Sequence, residues 1–245
     1  MQPARDRPGR AVVVHSPPPL RCSRVDLVER DWDVLAGRLS ADAIAAGRPT
    51  GWFDDLYSAG ERGEVSMPWD RDEPHPLLRD WAERERVDGS GSTAVVVGCG
   101  LGADAEYLAG LGFATTGFDL APTAVRLAAQ RHPGSAVRYE VADLFALPAA
   151  WLGAFDLVVE VFTLQAMPDP PRDRAIAGVR SLVAPGGALV AIQFRYDGRE
   201  PLDAGPPFPQ PRELFDRLAG DDLVLESVEE LEANGPRWRA VLSRA

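Results

Sequence analysis

The sequence has 245 residues, 45% hydrophobic and 26% charged, which is enough apolar side chain for a substantial core within one domain. Its formal charge of -11 makes a phosphate backbone a poorly matched partner, because nucleic-acid binders gain affinity from clustered cations that release counterions. Every basic side chain is Arg, so a Schiff-base lysine and the lysine of a phosphate-loop NTPase are both absent.

Residues 1 to 24 are rich in Arg and Pro without sustained periodicity and read as a loose arm. The apolar run from Ala11 to Val14, cut off by His15 and Pro17 to Pro19, is too short for a signal peptide, and no run elsewhere is long enough to span a bilayer. Cys22 and Cys99 offer neither a disulfide framework nor a closely spaced ligand pair, which suits a reducing compartment; the cytoplasm is the expected location. From Val25 through Leu27, Val28, Trp32, Leu35 and Leu39 to Ile44, apolar residues recur at mostly helical spacing until Gly47 and Pro49. The stretch from Gly51 to Trp81 concentrates Trp52, Phe53, Tyr57, Trp69 and Trp81 among Gly and Pro. It is expected to lack a regular helix or strand and to act, from about Trp52 to Leu78, as a mobile lid. The chain thus divides into an arm (1 to 24), a helical and aromatic extension (25 to 90) and a core (91 to 245).

The core alternates strand-like and helix-like segments. Strands are predicted at Thr93 to Val97, Phe113 to Phe118, Ala136 to Val141, Phe155 to Val161 and Ala188 to Phe194, which implies right-handed crossovers and a parallel sheet with helices on both faces. Leu223 to Leu231 and Arg237 to Leu242 alternate across a short turn at Asn234-Gly235-Pro236 and should close the sheet as an antiparallel hairpin. The expected architecture is therefore a Rossmann-like α/β fold with a mostly parallel seven-stranded sheet.

Gly98-Cys99-Gly100-Leu101-Gly102 follows the first strand directly and precedes a predicted helix from Ala103 to Leu111. Glycines there let the backbone turn sharply and let a ligand approach closer than a Cβ would permit. With Ala at position 103 the turn also satisfies the dinucleotide pattern, so alone it leaves two nucleotide classes open. Asp119 ends the second strand about 20 residues beyond Gly98, where a carboxylate can accept from both ribose hydroxyls. Asp143 ends the third strand in Val141-Ala142-Asp143-Leu144-Phe145, where it can accept from an adenine amino group beside apolar residues that bracket the ring. An Asp at such a place also serves commonly as a turn former. Leu182 to Leu189 contains Pro185-Gly186-Gly187, read as a helix end and turn feeding the fifth strand.

These features together resemble the class I S-adenosylmethionine-dependent methyltransferases. Met67-Pro68-Trp69-Asp70, Glu73 to Leu78, Tyr196-Asp197 and Gly205 to Phe208 narrow the resemblance to the thiopurine methyltransferase-like enzymes of small molecules. The resemblance covers the chain from about Trp52 onward. It implies S-adenosylmethionine as donor and S-adenosylhomocysteine as product, held by Tyr57, Trp69, Gly98, Cys99, Gly100, Gly102, Asp119, Leu120, Asp143, Leu144 and Glu160. It also implies an acceptor pocket built by Phe162, Gln165, Tyr196 and Phe208. The stretch Glu160-Val161-Phe162 lacks the Arg that follows the corresponding acid in the thiopurine enzymes.

Methyl transfer from a sulfonium is an in-line displacement with a neutral leaving group, so the protein mainly aligns the acceptor and excludes water. A base is optional for a thiol or heterocyclic nitrogen and is required for an ordinary alcohol. The sequence shows no His, Lys or metal-ligand constellation suited to that task, which points to sulfur, ring nitrogen or an acidic phenol. No catalytic side chain is assigned; the expected partner is a small-molecule acceptor, with no nucleic acid and no membrane. The competing readings are a NAD-dependent oxidoreductase on a Rossmann fold and a non-catalytic protein that binds the donor to regulate.

Overall fold

The structure is a computed structural model that describes residues 31–48, 50–67, 69–199, 201 and 205–245. The expected arm, the start of the first helix at Val25, and Pro49 and Pro68 of the sequence patterns above lie outside the described residues.

Three helices precede the sheet: α1 (Asp31–Ala45), α2 (Phe53–Glu61) and α3 (Pro76–Glu85). The aromatic stretch is therefore not devoid of regular structure, contrary to the sequence expectation. The glycines that argued against a helix sit at its margins, while Trp52, Leu56 and Ala59 pack inward at helical spacing and Asp54 and Asp55 occupy the first turn. α1 packs Ala36 and Ala43 against Trp52 and Leu56, but Ile44, expected on its apolar face, is exposed.

The core then runs β1 (Thr93–Val97), α4 (Ala103–Gly110), β2 (Ala114–Asp119), α5 (Pro122–Arg131), β3 (Arg138–Val141), β4 (Phe155–Val161), α6 (Pro171–Leu182), β5 (Val183–Phe194), α7 (Glu213–Ala219), β6 (Val224–Glu232) and β7 (Pro236–Ser243). The strand order is β3-β2-β1-β4-β5-β7-β6. Strands β1 to β5 pair in parallel, whereas β7 pairs antiparallel with both β5 and β6. Asn234 and Gly235 carry the positive φ that the tight reversal between β6 and β7 needs.

Two boundaries differ from the sequence reading by more than one residue. β3 starts at Arg138, since Val137 turns into the core just before this short edge strand. Pro185-Gly186-Gly187 lies inside β5 rather than before it. The pairing with β4 jumps there from Phe155↔Val183 to Leu157↔Ala188, and the Gly186 N–H and Gly187 carbonyl bond instead to Arg244 backbone, so the bulge is paired by the C-terminal end of the chain.

Strand residues alternate between two buried layers. Val95, Val97, Val158, Leu189 and Ala191 join α6 and α7 on one face, while Val96, Leu157, Val159, Val190 and Ile192 join α3 and α4 on the other. Burial on both faces explains why these strands read as continuous apolar runs. The chain leaves β1 toward β2 and β3 on one side, then returns to lay β4 on the other. That reversal opens a crevice beyond the carboxyl ends of β1 and β4, where open α/β sheets bind ligands.

One ion cluster fastens the N-terminal helices to the hairpin. Arg239 on β7 is fully buried; it donates to Asp80 Oδ2 at 2.7 Å, to Glu229 Oε2 at 2.8 Å and to the Leu77 carbonyl at 2.7 Å. Because Asp80 and Glu229 keep partial access to water, an Arg239→Met substitution is expected to cost about 2–3 kcal/mol, less than the ~3–5 of a wholly buried pair. Urea denaturation measures it, and a loss below about 0.5 kcal/mol would show the cluster to be stabilising nothing.

Candidate functional site

A cleft of about 1100 Å³, its open mouth included, occupies the crevice at the carboxyl ends of β1 to β4. Its floor is the turn after β1. Gly98 and Gly100 have φ of 60° and 52°, a conformation that glycine adopts without strain. A Cβ at Gly98 would fall 2.5 Å from Thr163 Oγ1, and one at Gly100 would fall 3.0 Å from the Tyr57 hydroxyl and 3.8 Å from Trp69 Cδ1. The backbone is thus bare along this floor, where a side chain on either glycine would crowd Thr163 or Tyr57.

Asp119, at the end of β2, is the buried acid of this floor. Its Oδ2 accepts from Gly100 N–H at 3.1 Å and its Oδ1 from Ala121 N–H at 3.0 Å. Burial raises its pKa, and backbone N–H bonds, first those of Ala121 and Gly100, pull it back. Each oxygen retains a lone pair for a ligand hydroxyl. Tyr57 and Trp69 meet edge to face at 5.8 Å between ring centroids. Burial, with Asp119 close by, lifts the Tyr57 phenol well above its ordinary value and does the same to the Cys99 thiol, so both remain protonated at neutral pH.

On the β3 side, Leu120, Asp143 and Leu144 line the cleft. Asp143 acts partly as the turn former it resembled: its Oδ1 accepts from Phe145 N–H at 2.8 Å. Opposite, after β4, Phe162 holds a left-handed φ of 65°, costly for a residue with a Cβ. Its ring stands edge-on to His75 at 5.0 Å and to Phe194 at 4.7 Å.

Of the residues singled out from sequence, Tyr57, Trp69, Gly98, Cys99, Gly100, Asp119, Leu120, Asp143, Leu144 and Phe162 share this one cleft. The other five do not line it. Gly102 heads α4 and faces Tyr139. Glu160 is fully buried behind the loop, its Oε1 accepting from Thr163 N–H at 2.6 Å and Leu164 N–H at 2.9 Å, its Oε2 from Gln193. Gln165 is also buried, with its Oε1 accepting from Phe194 N–H at 2.6 Å. The Tyr196 N–H bonds to the Gln210 carbonyl, and Phe208 is buried beneath the Arg172 guanidinium.

Sequence reasoning missed Arg71 and Asp104 on the wall. Arg71 Nη2 donates to Asp104 Oδ2 at 3.1 Å, and His75 N–H donates to Asp104 Oδ1 at 2.6 Å. Their separation along the chain leaves no local pattern, although an Asp in the first turn after a Gly-rich loop was a visible hint. His75 itself is buried at the head of α3 and Nδ1 accepts from Leu77 N–H; burial and two nearby guanidinium groups hold its pKa down at about 3. It is therefore a neutral helix cap. Among the described residues no three His, Cys, Asp or Glu side chains cluster as metal ligands, and no helix is long and apolar enough to cross a membrane.

Comparison with known proteins bears on what this cleft serves. The sequence model of the family described as Thiopurine S-methyltransferase (TPMT) matches residues 61–242. The 2-heptyl-1-hydroxyquinolin-4(1H)-one methyltransferase of Mycobacteroides abscessus is 29% identical over 195 residues, 75% of this chain and 83% of that protein. The ubiquinone biosynthesis O-methyltransferase of Azotobacter vinelandii is 37% identical over 130 residues, 49% of this chain and 55% of that one; the chain spans about half the length of such relatives. Among solved structures, the 1,6-didemethyltoxoflavin-N1-methyltransferase of Burkholderia thailandensis, with 1,6-didemethyltoxoflavin and S-adenosylhomocysteine bound, aligns with a TM-score of 0.63 at 19% identity, covering 84% of this chain and 90% of that chain. The N-methyltransferase NodS of Bradyrhizobium japonicum, in complex with S-adenosylhomocysteine, gives 0.59 at 24% identity, with 77% and 97% covered. At these identities the two structures speak for a shared Rossmann-like methyltransferase fold.

The buried Glu160 gives the site a pH signature. Burial raises its pKa from 4.5 to about 7, against the lowering effect of the Leu164, Thr163 and Gln193 donors. The folded state therefore keeps a proton that the unfolded chain has released. The resulting stability is fully present below the unfolded value and is lost as pH rises through about 7. At ~1.4 kcal/mol per pKa unit this amounts to about 3 kcal/mol. Glu160→Gln, permanently neutral, is expected to gain that amount on the wild type between about pH 4.5 and 8 in urea denaturation. His75 weakens both proteins alike as pH falls below its unfolded value, so it cancels in the difference. A pH-independent difference would mean that Glu160 is ionised throughout.

Proposed function

The chain belongs to the thiopurine S-methyltransferase family and is an S-adenosylmethionine-dependent methyltransferase of small molecules, and we propose that the cleft beyond β1 to β4 holds donor and acceptor together. The donor supplies a methyl group on a sulfonium that leaves as a neutral thioether. In this reading Asp119 takes the ribose hydroxyls on its remaining lone pairs. Asp143, with one oxygen already engaged, offers the other to the adenine amino group between Leu120 and Leu144. The bare backbone of Gly98 to Gly100 carries the methionyl arm past Tyr57 and Trp69. Phe162 forms the acceptor wall, and the stretch from about Trp52 to Leu78 shields this side from water as a lid.

The acceptor we infer is a planar heteroaromatic molecule whose sulfur, ring nitrogen or acidic hydroxyl is nucleophilic without help. The observation that carries this is the state of the cleft's titratable groups. Tyr57 and Cys99 are held protonated, Asp104 is spent on Arg71 and His75, and Asp119 on the floor. Glu160 and His75 lie behind the wall, bonded to Thr163, Leu164 and Leu77 backbone. A thiol is already partly ionised at neutral pH and a heterocyclic nitrogen carries a lone pair, whereas an ordinary alcohol would find no base. The relatives' names are in keeping with this: a hydroxyquinolinone in one and a ring nitrogen in another.

Two outcomes are expected. Asp119→Ala should weaken S-adenosylhomocysteine binding by about 1–3 kcal/mol in calorimetry, the cost of charge-assisted hydrogen bonds left unmade; unchanged affinity would remove Asp119 from the donor site. Across a panel of aromatic thiols, azoles and phenols, the rising limb of kcat/KM against pH should track each acceptor's own pKa. A limb fixed at one pH for every acceptor would reveal an enzyme base and sink the acceptor reading.

A further inference from the structure

The glycine turn is held from a second side, by His132 and Tyr139, neither of which lines the cleft. α5 starts directly after the turn whose Ala121 N–H bonds to Asp119, and it ends at His132. From there the His132 ring reaches back to the glycine turn, with Nε2 3.2 Å from the Leu101 carbonyl oxygen. A carbonyl only accepts, so Nε2 carries the proton, as it does in one neutral tautomer and in the charged ring alike. Leu101 is buried, and a buried carbonyl left without a donor would be costly.

Tyr139 on β3 completes the hold. Its hydroxyl donates to Glu106 Oε1 in the first turn of α4 at 2.5 Å, and its ring lies against Gly102. A Cβ at Gly102 would fall 3.0 Å from Tyr139 Cζ and 3.2 Å from His132 Cδ2, and the residue has a φ of 95°. The last glycine of the motif therefore makes room for these two rings. We propose that His132 and Tyr139 are positioning residues for donor binding. They fix Leu101 and Gly102, so the adjoining Gly98 to Gly100 backbone already has, before binding, the shape in which it receives the donor. Preorganisation of this kind raises affinity by removing an ordering cost from the binding step. The proposal rests on the reading of the cleft as the donor site and extends that site's determinants to the end of α5 and to β3.

Calorimetry of S-adenosylhomocysteine binding to the full chain tests it, at a temperature where circular dichroism shows every variant folded. His132→Ala is expected to weaken binding about 3- to 10-fold, the scale of one hydrogen bond. His132→Gln, whose amide nitrogen can stand in for Nε2, should return to within about 2-fold of the wild type. Tyr139→Phe keeps the ring against Gly102 but releases Glu106, and should weaken binding about 2- to 5-fold. At saturating S-adenosylmethionine the KM for an aromatic thiol should stay within about 2-fold of the wild type in all three variants. Unchanged affinity in His132→Ala, with or without a lower melting temperature, would reduce the contact to a structural one and overturn the proposal. So would a loss in the Ala variant that Gln does not restore. Either result leaves the donor reading standing as long as Asp119→Ala still loses affinity. A wild type that does not bind S-adenosylhomocysteine would overturn the donor reading and this proposal together.

Discussion

A single buried carboxylate sets the terms on which this cleft is built. Asp119 accepts the N–H groups of Gly100 and Ala121, so the turn after β1 and the turn after β2 are tied to one acid across adjacent parallel strands. The tie serves both sides: the backbone donors of the two turns gain an acceptor, and the desolvated charge gains hydrogen bonds that offset part of its burial. The same charge then acts on its neighbours. It adds to the burial that keeps the Tyr57 phenol and the Cys99 thiol protonated. The group that shapes the glycine turn thereby also strips the cleft of potential nucleophiles and bases.

The loop after β4 depends on a second acid, and here the physics is strain against satisfaction. Phe162 in the left-handed region costs on the order of 1–2 kcal/mol. Glu160 offsets it by gathering the next two N–H groups, those of Thr163 and Leu164, on one oxygen. Thr163 adds a hydroxyl bond to the Val97 carbonyl at 3.0 Å, which closes the loop over the end of β1. The edge contacts of Phe162 with His75 and Phe194 fix the ring once the backbone is so held. Glu160 thus shapes the cleft wall at Phe162 from behind, through the loop backbone and the Gln193 amide.

The β1 to β3 side of the cleft was legible because its determinants are local. A strand, a glycine turn and an acid at the next strand's end recur at fixed spacing, so Gly98, Gly100, Asp119 and Asp143 could be placed from sequence pattern alone. The parallel strands were legible for a similar reason, as burial on both faces writes unbroken apolar runs. What failed was the inference from residue type to absence of structure. Gly and Pro around α2 obscured a short amphipathic helix whose stability comes from α1 and α5 rather than from propensity. The loops after β4 and β5 were least legible. Gln165 and Phe208 look like pocket residues by type, yet both are buried, Gln165 against the Phe194 N–H of the distant β5 and Phe208 beneath Arg172, while the Tyr196 N–H is bonded to the Gln210 carbonyl. Arg71 escaped notice because its partner lies on another element.

The charge inventory of the cleft fits a reaction in which a positive charge disappears. Free carboxylates beside a sulfonium would stabilise the donor more than the transition state, since the sulfur loses its charge as the methyl group leaves; such binding would slow the chemical step. Here each acid on the wall is already committed. Asp119 is bound by two backbone N–H groups, Asp104 by a guanidinium and the His75 N–H, and Asp143 by the Phe145 N–H. Their fields are thereby turned toward the protein's own donors, while hydroxyl and amino groups of a nucleoside can still reach the remaining lone pairs. In the proposed reading the acids serve recognition through those lone pairs, and alignment and the exclusion of water are what the fold contributes to transfer.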